Sequence, residues 1–76
     1  MFNIRLREIR IKRGFTQQNM ADMLSLSLNA YQKYEQAERS PSFDCLVAIA
    51  DILDVSLDYL FGRDEFMKSH AIPFDE

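Results

Sequence analysis

Between Thr16 and Glu35 the chain twice sets a hydroxyl residue before a short run of helix formers, and this spacing leaves few folds open. Thr16 precedes residues 17–24 and Ser27 precedes residues 28–35, with only Ser25 and Leu26 between the first run and the second hydroxyl. A Thr or Ser in that place accepts a hydrogen bond from an otherwise unpaired N–H of a helix's first turn. Two helices this short, joined this closely, must share a core. Phe15, Met20, Ala21, Leu24, Leu26, Tyr31 and Tyr34 fall at spacings suited to one.

The same punctuation continues on both sides. Phe2, Leu6, Ile9 and Arg10 share one face of a helix expected over residues 3–13, and Gly14 stops it. Ser40-Pro41 breaks the chain after the third helix. Ser42 then caps a fourth, in which Cys45, Leu46, Ile49, Ala50 and Leu53 form an i, i+3/i+4 stripe. Asp54-Val55 turns the chain, Ser56 caps a short fifth helix carrying Leu57, Leu60 and Phe61, and Gly62 ends it. No useful strand alternation appears, so the expectation is an all-α domain of five helices over residues 1–62. Residues 63–76 hold a net charge of −2, little periodicity and Pro73. They read as an acidic, mobile tail, unless Phe66, Met67, Ile72 and Phe74 pack on the domain, on a second subunit or on another protein.

At 76 residues, one small domain is all that fits. The lone cysteine, Cys45, excludes an internal disulfide, lacks partners at metal-ligand spacing, and reads as a small core residue in a reducing compartment, the cytoplasm. Charges interrupt every apolar run near the N-terminus, so neither a signal peptide nor a membrane span is expected. His70 has no partner at catalytic or ligand spacing, and Asp51, Asp54 and Asp58 fall near helix caps. With no nucleophile–base pair and no glycine-rich phosphate loop, the expectation is no enzyme activity, no cofactor and no metal. Charge is divided along the chain. Residues 1–39 set seven Lys/Arg against four acids, a net +3, and residues 40–76 set two against eight, a net −6. Such a dipole can orient a protein toward phosphate, although a mixed solvated surface would give the same numbers.

Two short helices joined by a tight turn form a helix-turn-helix, whose second helix can project into a groove of duplex DNA. Four runs extend the pattern: Arg5-Leu6-Arg7-Glu8-Ile9-Arg10; Gly14-Phe15-Thr16-Gln17 leading to Met20-Ala21; Tyr34-Glu35 with Arg39-Ser40-Pro41-Ser42; and Val55-Ser56-Leu57-Asp58-Tyr59-Leu60-Phe61-Gly62. In this order and at these gaps, over about residues 3–62, the chain resembles the phage-repressor/Cro-type (XRE-like) helix-turn-helix family of transcriptional regulators. The resemblance implies a five-helix, lambda-repressor-like domain that binds operator DNA with helix three in the major groove, and the expected role is a repressor that acts by occupying the operator. A single domain buries only enough surface for weak binding, so specificity is expected to need a homodimer on two half-sites about one helical turn, roughly 34 Å, apart. Two positions depart from the pattern. The inter-helix turn usually carries glycine where this chain has Ser25, and the segment after helix three often has glycine where it has Ala37.

Tyr31 and Tyr34 are expected to point inward from helix three, leaving Leu28, Asn29, Gln32, Lys33 and Gln36 on the opposite face. Asn and Gln pair bidentately with adenine, Lys donates to guanine, and Leu touches a thymine methyl. By resemblance, base contacts fall at the start of this helix and one turn on, at Leu28, Asn29, Gln32 and Lys33. Leu28 either reads methyl groups or belongs to a protein contact. Phosphate contacts form a separate set: Gln17 at the start of helix two, Ser42 and Phe43 at the start of helix four, and Arg39, Ser40 and Arg10 or Lys12 for charge. Arg10 and Glu35 also resemble an internal ion pair, with a solvated Arg10 as the alternative. The dimer surface is expected at helix five and the tail, through Leu57, Phe61, Phe66 and Met67. Two rival functions remain at this level: an antitoxin whose tail folds on a toxin, and an interaction module that has lost DNA binding.

Overall fold

Four hydroxyl side chains open four helices in the computed structural model, which describes residues 1–62. The helices are α1 (Phe2–Lys12), α2 (Gln17–Met23), α3 (Leu28–Glu35), α4 (Phe43–Leu53) and α5 (Leu57–Leu60). Thr16 accepts from the Asn19 N–H at 3.0 Å while the Asn19 side chain accepts from the Thr16 N–H at 2.9 Å, a closed capping box. Ser27, Ser42 and Ser56 accept from the N–H groups of Ala30, Cys45 and Tyr59 at 3.1, 3.2 and 3.0 Å. The expectations for Phe66, Met67, His70, Ile72 and Phe74 lie outside the described residues.

The helices also end alike. Gly14, Ser25, Ala37, Asp54 and Gly62 all take positive φ, between 56° and 82°. After the first four of these, the next N–H reaches back to a carbonyl inside the helix: Phe15 to Arg10 at 3.1 Å, Leu26 to Ala21 at 2.8 Å, Glu38 to Lys33 at 2.9 Å, and Val55 to Ala50 at 3.0 Å. This left-handed exit explains why α1 stops at Lys12 and α2 at Met23, each one residue short of expectation: Arg13 and Leu24 serve as the cap residues.

Glycine adopts such an exit freely, and Asp tolerates it. Ser25 and Ala37 do not, and each carries a strain of about 1 kcal/mol relative to glycine. Ser25→Gly and Ala37→Gly are therefore each expected to stabilise the domain, raising Tm in a thermal melt by about 4–8 °C apiece. A Tm that falls would show that the lost side chains contribute more than the relieved strain.

All five helices supply the interior. Leu6, Met20, Tyr31, Ile49, Leu53 and Leu60 are fully buried. α2 packs on α3, α1 packs on both α3 and α5, and α4 packs on α5. α1 is tied down at both ends by arginine. Near its start, the Arg5 guanidinium lies 4.7 Å from the Tyr59 ring centroid and donates to the Tyr59 carbonyl at 3.3 Å. Just past its end, Arg13 donates to the Leu53 and Asp54 carbonyls at 2.7 and 3.2 Å, satisfying acceptors that the C-terminus of α4 leaves open. Cys45 is only half-buried, at the edge of the core beside the Tyr34 hydroxyl, 4.0 Å away. Phe61 lies past the end of α5 and is 44% exposed. No described helix is long and apolar enough to cross a membrane.

Candidate nucleic-acid interface

The inner face of α3 is fixed by its two tyrosines. Tyr31 and Tyr34 are buried and meet edge to face, with ring centroids 6.3 Å apart. The opposite face therefore has one orientation. Leu28, Asn29 and Gln36 are exposed on it, and Gln32 and Lys33 are half-buried. Eight residues of α-helix extend about 12 Å, comparable to the width of a major groove.

Beneath this face a buried carboxylate joins three helices. Glu35 Oε2 accepts from Arg10 Nε at 2.6 Å and from the Tyr31 hydroxyl at 2.5 Å. Its Oε1 accepts from Arg10 Nη2 at 3.2 Å and from Gln17 Nε2 at 3.1 Å. Four donors occupy the acceptor capacity of an ionised carboxylate. Arg10 also donates to the Phe15 carbonyl at 2.8 Å. The chain of bonds also reaches the outer face, since Gln32 Nε2 donates to Gln17 Oε1 at 3.1 Å. Gln32 is thus oriented by α2. The sequence indicated the Arg10–Glu35 pair but not the link through Gln17 to Gln32, because a glutamine pair between two helices leaves no spacing signature.

Burial alone would raise the Glu35 pKa, but the hydrogen bonds from Arg10, Tyr31 and Gln17 outweigh it and hold the carboxyl below its ordinary 4.5. The Tyr31 hydroxyl moves the other way, pushed above its ordinary range first by burial and then by its bond to Glu35. A depressed folded-state pKa gives stability that is complete above the unfolded value and is lost as pH falls toward the folded one. Wild-type stability is expected to drop as pH descends through and below 4.5. In urea titrations across that range, Glu35→Gln should begin lower and slope less. An equal slope in both proteins would remove Glu35 from the acid transition.

The phosphate candidates divide. Arg39, Ser40, Ser42 and Phe43 are exposed, Phe43 to 69%, around the start of α4. Gln17 is half-buried, and its amide already donates once to Glu35 and accepts from Gln32, leaving one N–H. Arg10 does not fit the phosphate set. Its side chain is 10% exposed and its guanidinium is engaged by Glu35 and Phe15, so burial and pairing replace the expected surface role. Lys12 remains exposed. Asp44, in the first turn of α4, places a negative charge beside Phe43, which opposes a phosphate there. Among the described residues no group of His, Cys, Asp and Glu could hold a metal ion.

Two capped helices, a left-handed turn at Ser25 and an outward polar face on the second helix define a helix-turn-helix domain. A helix-turn-helix family model matches residues 6–60, and the chain belongs to the XRE-type helix-turn-helix family. It is 48% identical over 68 residues to the uncharacterized HTH-type transcriptional regulator YqaE of Bacillus subtilis, covering 90% of this chain and 59% of that one. It is 39% identical over 66 residues to the HTH-type transcriptional regulator ImmR of the same organism, covering 87% of this chain and 52% of ImmR. It is 50% identical over 48 residues to the cryptic phage CTXphi transcriptional repressor RstR of Vibrio cholerae, covering 63% and 43%. The chain thus spans about half the length of these curated relatives. Among solved structures it resembles the restriction-modification controller protein C.AhdI of Aeromonas hydrophila, with a TM-score of 0.72 and 30% identity over 79% of this chain and 91% of that one.

Proposed function

We propose that this chain is a sequence-specific DNA-binding transcriptional repressor that reads an operator with the outer face of α3. The observation that carries the reading is the asymmetry of that helix: its tyrosine side is locked in the core while Leu28, Asn29, Gln32 and Lys33 stand on the opposite side. Asn29 and Gln32 suit adenine, Lys33 suits guanine, and Leu28 suits a thymine methyl. Gln32 arrives pre-oriented by Gln17, which lowers the entropy lost when it pairs with a base. Arg39, Ser40, the start of α4 at Ser42 and Phe43, and the remaining Gln17 N–H position the domain on phosphates. The repressor role is supported by the similarity to RstR, a transcriptional repressor. One such domain makes few contacts, so we assign binding to a homodimer on two half-sites, joined at the end where Phe61 and Met1 are exposed.

Selection of bound duplexes from a random DNA pool tests the reading. A single enriched motif, repeated with two-fold symmetry about one helical turn apart, is the expected outcome. Absence of enrichment, with no gain in affinity at low salt, would favour the interaction-module alternative.

A further inference from the structure

α1 packs like a core helix on one side and leaves an uncovered apolar stripe on the other. Leu6 and Ile9 are buried, while Ile4 and Ile11 are 55% and 54% exposed. At about 100° per residue, Ile4 and Ile11 fall within about 20° of each other, on the side of the helix away from Leu6 and Ile9. Arg7 and Glu8, both exposed, flank that stripe at about 50° to either side. Neither side chain makes a hydrogen bond or ion pair with another described residue. An apolar seam with one positive and one negative flank is complementary to a copy of itself.

We propose that this face is a homotypic contact, in which α1 lies parallel against α1 of a second copy about a two-fold axis running along the pair. That operation sets each isoleucine on its own equivalent and brings the Arg7 flank onto the Glu8 flank of the second copy, twice. The antiparallel alternative would set Arg7 on Arg7 and Glu8 on Glu8, so charge selects the parallel form. The face points away from α3, which packs on the inner side of α1, so the groove-reading surface stays open. One stripe on a single helix buries far less than the roughly 1,200 Å² of a stable interface, so the contact is weak in free solution. It strengthens where two copies are held close together. On the DNA-binding reading, neighbouring operators would do this and binding to them would be cooperative. The contact itself does not depend on that reading.

The test uses the full chain without DNA, by sedimentation equilibrium up to millimolar concentration. The wild-type mean mass is expected to rise with concentration, but a dimer joined at Phe61 and Met1 would raise it too, so the α1 contact is read from how charge variants on α1 change that rise. Arg7→Glu alone sets like charges face to face, as does Glu8→Arg alone, and each should weaken association by about tenfold. An equimolar mixture of the two variants restores both opposite-charge pairs and should restore association, as should the double variant. Both positions are exposed, so thermal melts of the variants should match wild type. Ile4→Cys should form an intermolecular disulfide between equivalent positions under mild oxidation, whereas the antiparallel form would join Ile4→Cys only to Ile11→Cys. A constant single-chain mass for wild type, single variants that associate as wild type does, or a mixture that fails to recover would each overturn the proposal.

Discussion

Glu35→Ala is expected to destabilise the domain by about 3–5 kcal/mol, the loss that follows when one member of a buried ion pair is removed and the other charge stays behind. Arg10 would keep its place under the tyrosines with only the Phe15 carbonyl as a partner. The buried Tyr31 hydroxyl would lose its acceptor, which alone costs about 1–3 kcal/mol. A domain this small has only about 5–15 kcal/mol of total stability, and its size places it toward the lower end. Urea unfolding at neutral pH should therefore show Glu35→Ala close to its transition without denaturant. Replacing both partners, as in Arg10→Met with Glu35→Leu, removes the stranded charge and should recover that part of the loss, while the Tyr31 hydroxyl still lacks its acceptor. A loss below about 1 kcal/mol for Glu35→Ala would mean that solvent reaches Arg10, contrary to its burial.

The second large effect concerns DNA. Asn29→Ala and Lys33→Ala should each cost about 1–3 kcal/mol on the selected operator and much less on unrelated duplexes, because on the proposed reading each removes a base contact. Arg39→Ala should weaken every sequence alike and lower the slope of log K against log salt by about 1. Gln17→Ala belongs between the two classes, since it removes both a phosphate donor and the support of Gln32. Fluorescence anisotropy on matched and unrelated duplexes at several salt concentrations separates these patterns. Equal losses for Asn29→Ala and Arg39→Ala on all sequences would remove the distinction between reading and positioning.

The helix framework was legible because its signals are local. Each of Thr16, Ser27, Ser42 and Ser56 forms the cap expected of it, with a bond confined to one turn. The inward tyrosines of α3 followed from their three-residue spacing. The exits at Ser25 and Ala37 were visible only as departures from a family pattern, and both adopt the left-handed backbone. What the sequence could not carry was the pairing of polar groups across helices. Arg13 reaches carbonyls about 40 residues away, and Gln32 finds Gln17 because two helix axes cross. Such bonds depend on tertiary placement, so no periodicity announces them. Arg10 illustrates the ambiguity: a basic residue on a helix reads equally as surface charge or brace until its burial is known. Ile4 and Ile11 carry no sequence signal for a related reason: a helix with apolar residues on two faces gives no clear stripe.

The proposed function requires the outer side of α3 to enter the groove. An NMR titration of the full chain with the selected duplex locates the contact residue by residue. The largest amide shifts are expected at residues 28–33, with side-chain NH₂ shifts at Asn29 and Gln32, a second group at Arg39, Ser40, Ser42 and Phe43, and none at Ile4 or Ile11 on a duplex with a single operator. Shifts concentrated on α1 or α5, with Asn29 and Gln32 unmoved at saturating duplex, would contradict it.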